Sequence, residues 1–424
     1  MRIFLSTGEP SGDLHAANLI HSLRKLRPDV EVVGFGGPKM SEAGAALLFP
    51  LVDLAVMWFV RVLLNIRTFF RVLDMADRDF AENRPDAVVL IDYPGFHWWL
   101  AKTAKKRGIP VFYFVPPQIW AWGGWRVNKV RKSIDHVLCS LPFEPKWYHD
   151  RGVPGAVYVG HPYFDELAER VLDDGFVAEM SSQSSPVVAI LPGSRTQEVT
   201  RNLPIMLQAA AKLSIGRPNV RFAVACLHDR HRELAASILE AAHLPASTRV
   251  EIFAARTPEL IRVARVAWAV SGSVGLELMN EALPTVVLYK IKAFDLWVAR
   301  KFIKSKYISL VNLLADAEVM PEYLTAVDVS PDLAMWAGRW LDHPVERRRV
   351  SDALAELRAR VAVPGASDRA AQAIVTVLAP VESLGSPTGR TDLGEVANHG
   401  PRGFFPTIAD HGKVRPENQP SDNR

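Results

Sequence analysis

Cysteine is almost absent from this chain. Two residues in 424, Cys139 and Cys226, lie far apart, each inside an apolar run. That spacing excludes a disulfide framework and reads as two core thiols in a reducing compartment. Nowhere does an apolar run reach the roughly 18 residues a spanning helix needs. The start, Met1 to Ser6, is cut short by Gly8 and reads as a first buried strand rather than a signal peptide. No Cys/His group has metal-ligand spacing; His228 and His231 alone do not make a site, and neither a metal nor a cofactor is expected. The G-x-G-x-x-G fingerprint is missing, so a dinucleotide fold is not indicated. Charge of one sign is missing too: 50 Lys and Arg stand against 46 Asp and Glu, which gives no case for nucleic acid. What remains is an ordinary globular composition, 49% apolar and 23% charged. Its length suggests about two domains.

The first half alternates strand and helix. Strands are expected at Ile3 to Ser6, Val30 to Phe35, Ala87 to Ile91, Phe112 to Val115 and Val137 to Ser140. Such alternation implies a parallel sheet. Thr7 to Asp13 reads as a loop, with Asp13 able to cap the helix that follows and Pro28 ending it. Glu9, Ser11 and Asp13 would then sit at the carboxyl end of the first strand, where open α/β sheets bind ligands. Cap and turn chemistry is the other reading of these three. Asp92 follows Ile91 directly, so it stands at a strand tip too. There it would serve as a general base with a pKa raised by desolvation, or as a cap.

Residues 54 to 73 hold apolar side chains on more than one helical stripe, with Arg61, Arg67 and Arg71 between them. Trp58, Phe59, Leu63 and Phe70 entering lipid, with arginines at anionic headgroups, is one reading. A helix buried against the sheet is the other. Asp77-Arg78-Asp79 reads as a solvated helical face. Trp120, Trp122 and Trp125 fall in a stretch bounded by prolines and glycines. It reads as a loop able to stack on a sugar or touch acyl chains. Residues 168 to 185 read as a polar inter-domain passage.

A second series follows, with strands expected at Val187 to Ile190, Val220 to Cys226, Val250 to Phe253, Ala267 to Val270 and Thr285 to Tyr289. Between the first of these and the next helix stands Pro192-Gly193-Ser194-Arg195. Backbone N–H groups at a helix start, together with a planar guanidinium, suit a diphosphate. An ordinary turn with a surface arginine is the alternative. Ser271-Gly272-Ser273-Val274-Gly275 is a second small-residue loop, and Glu277 one turn later could take ribose hydroxyls or complement the helix dipole. Lys290 to Lys306 is basic with aromatics interspersed, a pattern that suits an anionic bilayer. Asn312 lies in an apolar run and must satisfy its amide somewhere. Two helical segments, broken at Pro364-Gly365, fill residues 343 to 378. Beyond them the composition is that of a disordered tail, whose Phe404-Phe405 pair could dock.

Taken together, Gly8 to Asp13, Ile91 to Phe96, Ile119 to Trp122, Leu191 to Arg195 and Leu310 to Leu314 resemble the lipid-A-disaccharide synthase family, from Met1 to about residue 378. The resemblance implies a GT-B fold: two Rossmann-like β/α domains with an inter-domain cleft. The expected division is 1–167 for the acceptor and membrane side, 186–343 for the UDP-sugar side, 344–379 for helices returning across the lobes, and 380–424 for the tail. It further implies inverting, metal-independent transfer from UDP-2,3-diacylglucosamine to 2,3-diacylglucosamine 1-phosphate. Asp92 would be the base. Gly193, Ser194, Arg195, Ser273, Gly275, Glu277 and Asn312 would hold UDP. Glu9, Ser11, Trp120 and Trp122 would line the substrate loop. The enzyme would lie in the cytoplasm on the inner face of a Gram-negative inner membrane, and a homodimer is among the expectations. Departures from the family pattern stand at Pro10, Trp58, Arg61, Gly95 to His97, Ser273 to Gly275 and Ala315-Asp316. A related UDP-sugar transferase or epimerase, or an inactive membrane-docking homologue, are the competing readings.

Overall fold

The computed structural model describes residues 1–52, 66–293, 296–297 and 305–379. Trp58, Phe59, Arg61 and Leu63, like the tail from residue 380, lie outside the described residues. The chain forms two compact units. Among the described residues, one is Met1–Leu172 together with residues 358–379; the other is Asp173–Leu296 with Lys306–Leu357.

The first unit is built on β1 (Arg2–Thr7), β2 (Glu31–Phe35), β3 (Ala46–Phe49), β4 (Ala87–Ile91), β5 (Val111–Phe114), β6 (His136–Cys139) and β7 (Ala156–Tyr158). Their order is β3-β2-β1-β4-β5-β6-β7, all parallel. Side chains alternate across the pleat. Phe4, Val33, Val88 and Leu90 therefore enter one core, while Ile3, Leu5, Val32, Val89 and Ile91 enter the other. Both faces are buried, which is why the strands read as continuous apolar runs. The helix Ala366–Leu378 packs on the helix Pro10–Leu26 in this unit. Asp165 fixes its start by accepting from the N–H groups of Gly365, Ala366 and Ser367.

The second unit holds β8 (Val187–Leu191), β9 (Arg221–Cys226), β10 (Arg249–Ala254), β11 (Val266–Val270), β12 (Thr285–Lys290) and β13 (Glu322–Thr325). The order is β10-β9-β8-β11-β12-β13, again all parallel. Both units are doubly wound. Strand order reverses between β1 and β4 in one and between β8 and β11 in the other, and those are the positions where open sheets bind ligands.

Several expectations change. The first helix starts at Pro10, so Thr7 to Asp13 is only briefly a loop. Asp13 is buried within that helix and accepts from Gly37, Lys39 and Met40 N–H at 2.8, 2.9 and 3.1 Å. It caps the helix Pro38–Glu42 instead of its own. The passage 168–185 contains a helix, Asp174–Ser182, capped by Asp173. Asp79 is no solvated residue: it pairs with Arg2 at 2.8 Å, and Asp77 pairs with Arg107. Trp120 and Trp122 lie on a one-turn helix, Ile119–Trp122, not a loop. Edge strands β3, β7 and β13 went unforeseen. Cys139 and Cys226 are both buried and free.

Candidate functional site

At the first switch point Thr7 pairs in register with Ile91. The chain leaving each tip therefore puts Gly8-Glu9 beside Asp92-Tyr93. Asp92 and Tyr93 both have left-handed backbones, with φ of 53° and 48°. Two adjacent non-glycine residues in that region cost roughly 1–2 kcal/mol each. Such strain persists only where the surroundings over-determine it, and it clusters at functional sites.

The surroundings here are explicit. The Asp92 carbonyl accepts from His97 Nδ1 at 2.6 Å and from the Tyr113 hydroxyl at 2.9 Å. A carbonyl can only accept, so Nδ1 carries the histidine proton. Nε2 is then the acceptor for the Ser6 hydroxyl at 3.0 Å. Burial pushes the His97 pKa down to about 3, which keeps the ring neutral and this tautomer in place. Tyr93 N–H donates to the Asp92 carboxylate at 2.9 Å. A Cβ on Gly8 would stand 2.3 Å from the Tyr93 ring, so only glycine lets the two loops close together. Glu9 is half-buried at the N-cap of the first helix, and Ser11 is exposed on its first turn. His97 is the group that orients the Asp92 main chain.

Trp120 is also engaged. Its indole donates to Glu144 at 3.0 Å, and its ring meets Phe143 edge-on at 5.0 Å. Glu144 is fully buried and also accepts from Ser140 and Leu141 N–H. Burial raises its pKa to about 7 despite those bonds. The tryptophan-bearing segment is thus anchored from within. Arg67 and Phe70 are both exposed on the helix Ile66–Glu82.

At the second switch point Leu191 pairs in register with Ala269. Pro192 to Arg195 and Ser271 to Gly275 are therefore neighbours at adjacent strand tips. Ser194, Arg195 and Ser273 are exposed; Glu277 is buried in the helix Val274–Asn280. A Cβ on Gly275 would make only ordinary contact, 3.5 Å from Val311. Gly193 is different: its φ is 128° and a Cβ would lie 2.4 Å from Glu198. Glu198 stands there because its carboxylate accepts from the N–H groups of Ser194 and Arg195 at 3.0 and 3.2 Å. The two amides expected to greet a diphosphate already hold a carboxylate. Arg195 itself lies 3.6 Å from the same carboxylate.

Asn312 has a task within the fold. It is fully buried, donates to Met320 O and Glu322, and accepts from Val319 and Met320 N–H. Two donors and two acceptor positions are all used. Its amide clips the 316–322 segment. Glu322 also accepts from Ile308 and Ser309 N–H. His228 is an N-cap that accepts from His231 N–H. Of the residues that reasoning from sequence missed, Glu198 was findable: it sits at the third helical position, where a capping-box acid belongs. His97, Glu144 and Glu322 act across the fold and left no local sign.

The family described as lipid-A-disaccharide synthetase matches residues 3–333. A lipid-A-disaccharide synthase of Myxococcus xanthus is 36% identical over 380 residues, 89% of this chain and 98% of that protein. One from Anaeromyxobacter dehalogenans is 38% identical over 382 residues, 89% and 97% of the two chains. Among solved structures, MnaA of S. aureus with UDP superposes with a TM-score of 0.63 at 13% identity, over 89% of this chain and 96% of that one. At that identity the likeness is one of fold, and the fold is GT-B.

Proposed function

The chain belongs to the lipid-A-disaccharide synthase family, and from that premise we propose that it joins two acylated sugars. The donor is UDP-2,3-diacylglucosamine. The acceptor is the 6-hydroxyl of 2,3-diacylglucosamine 1-phosphate. The products are the β-1,6-linked disaccharide 1-phosphate and UDP. The observation that carries the residue assignment is the strained Asp92, held at the β4 tip by His97 and Tyr113.

In this reading the Asp92 carboxylate takes the proton of the acceptor 6-hydroxyl. The oxygen attacks the anomeric carbon from the face opposite UDP, through an oxocarbenium-like state, so the configuration inverts. The bond from that carbon to the diphosphate oxygen breaks, and its electron pair leaves with UDP. Arg195 carries a fork fitted to phosphate oxygens and would meet the charge that develops on the departing UDP. Ser273 and Gly275 leave room for the phosphates, and Glu277 holds the ribose. Glu9 and Ser11 line the acceptor side with Asp92. Trp120 shapes that wall from its anchored turn.

Both substrates are lipids, so the enzyme works at the inner-membrane surface as a peripheral protein. Among the described residues no helix is long and apolar enough to cross a membrane. Exposed Phe70 and Arg67 supply an apolar and a basic contact of the kind such a surface uses. The test is UDP release with both acylated sugars, run beside a deacylated donor. Disaccharide formed only with the acylated pair supports the reading. UDP release without disaccharide, or epimerised donor, sinks it.

A further inference from the structure

A cavity of about 290 Å3 opens in the first unit beside the Asp92 turn. Pro94 and Gly95, two and three residues past Asp92, form part of its wall. The remainder is Trp98, Trp99, Lys102, Arg126, Lys129 and Ser133. Three of these are cations, and no carboxylate is among the described residues that line it.

The cations are set on aromatic rings. Lys102 lies over Trp99 at 5.2 Å, while Arg126 and Lys129 lie over Trp125 at 5.2 and 5.9 Å. Rings of this kind hold a cation near their faces without neutralising it. The helix Pro94–Lys106 begins at this wall, so its dipole adds positive potential. Like charges gathered in one concavity repel until an anion enters, and a recess focuses their field. At the mouth, Trp99 and Trp125 are 48% and 66% exposed, and Phe70, 6.5 Å from Trp99, is 47% exposed. An anion arriving here would therefore be carried on something apolar. The volume sits at the lower bound for small-molecule sites and suits a phosphorylated sugar head, not its acyl chains.

We propose that this cavity binds the phosphomonoester of the acceptor lipid. The inference rests on the reading of the reaction given above and adds the acceptor's recognition group to it. A phosphomonoester carries close to two negative charges at neutral pH, since its second pKa is about 6. Three cations match that better than the single charge of a phosphodiester headgroup. With the phosphate seated past Gly95, the pyranose extends back toward Asp92 and presents its 6-hydroxyl, borne on the far side of the ring oxygen from the phosphate-bearing carbon, to the base.

The test compares the full-length protein with the double variant Lys102→Gln/Lys129→Gln. Both lysines are exposed, so the variant should melt with the parent. UDP release is measured in detergent micelles with the phosphorylated acceptor and with the same lipid lacking its phosphate. The parent's preference for the phosphorylated acceptor, as a ratio of kcat/KM values, should fall tenfold or more in the variant. An unchanged ratio overturns the proposal. In a second arm, glucosamine 1-phosphate is titrated against tryptophan fluorescence, which needs no turnover. Saturable binding in the parent, at least tenfold weaker in the variant, supports the site; equal binding overturns it. A third arm floats both proteins with phosphatidylglycerol vesicles. Loss of flotation with the acceptor preference intact would assign these cations to bilayer phosphate and overturn the proposal. Should the parent turn over neither acceptor, the reaction reading fails while the titration still decides the cavity.

Discussion

Glu198→Gln is expected to tighten UDP binding while loosening the fold. The Glu198 carboxylate takes two N–H groups, at 3.0 and 3.2 Å, and lies 3.6 Å from Arg195. A diphosphate that uses the same loop must displace this internal anion or share its field. Hydrogen bonds to a charged acceptor contribute roughly 1.5–3 kcal/mol each. Glutamine keeps one neutral acceptor, so only part of that is lost. The Arg195 side chain is largely exposed, and its pairing adds no more than about 1 kcal/mol. A net relief of about 1–2 kcal/mol follows, which is a five- to thirtyfold lower Kd for UDP. The same change weakens the N-terminal cap of the helix Thr196–Ser214 and should cost about 1 kcal/mol of stability. Calorimetric titration with UDP and a denaturant melt measure the two effects. Weaker UDP binding in Glu198→Gln would refute the competition and make the carboxylate a support for the loop.

Other expectations follow from the same geometry. Asp92→Asn should lower turnover by about 10²–10⁴, the usual share of a general base, and leave the UDP Kd within about twofold; steady-state rates beside a UDP titration decide it. Gly193→Ala should destabilise by more than about 1 kcal/mol, because its Cβ would strike Glu198 in a backbone that only glycine adopts easily, as a thermal melt would read. Acid should destabilise the fold between pH 7 and 5. His15, His97 and His161 titrate at about 4, 3 and 3 instead of 6.5, so the unfolded chain takes up the protons and each costs about 2 kcal/mol by pH 5. Glu144 titrates at about 7 instead of 4.5, so the folded chain takes up its proton and offsets about 2 kcal/mol over the same range. Urea midpoints should thus fall in the parent and about one and a half times as steeply in Glu144→Gln.

The architecture was legible because its signals are local. Ala87 to Ile91 is buried on both faces of a parallel sheet and reads as an unbroken apolar run ending at Asp92. Strand followed by Gly-Ser turn and helix at Leu191 to Thr196 needs no distant information either. What failed is long-range. Asp13 has the spacing of a cap for its own helix, yet its partners are Gly37, Lys39 and Met40, more than twenty residues away. Nothing near Glu144 announces that it will anchor Trp120. The edge strands β3, β7 and β13 pair on one side only and are partly exposed, so they lack the two-sided burial that marks the central strands.

A polar residue near a strand tip can serve the ligand or the loop, and hydrogen-bond saturation separates the two. Asn312 is the clearest case. Motif matching puts it with the nucleotide, but its amide makes four internal bonds and has no surface in solvent. Its effect on binding must pass through the segment it clips. Asp92 differs in kind: His97 and Tyr113 grip its backbone carbonyl, its carboxylate accepts one N–H from Tyr93, and the residue is only half-buried. A scaffold that fixes the main chain and leaves a carboxylate at the surface is arranged for chemistry. Replacing Asn312 should therefore lower stability and donor affinity together, in fixed proportion, whereas replacing Asp92 should separate turnover from both. Melting curves and UDP titrations on Asn312→Ala and Asp92→Asn would show whether that division holds. An Asn312→Ala protein that melts like the parent and yet fails to bind UDP would return the asparagine to the binding site.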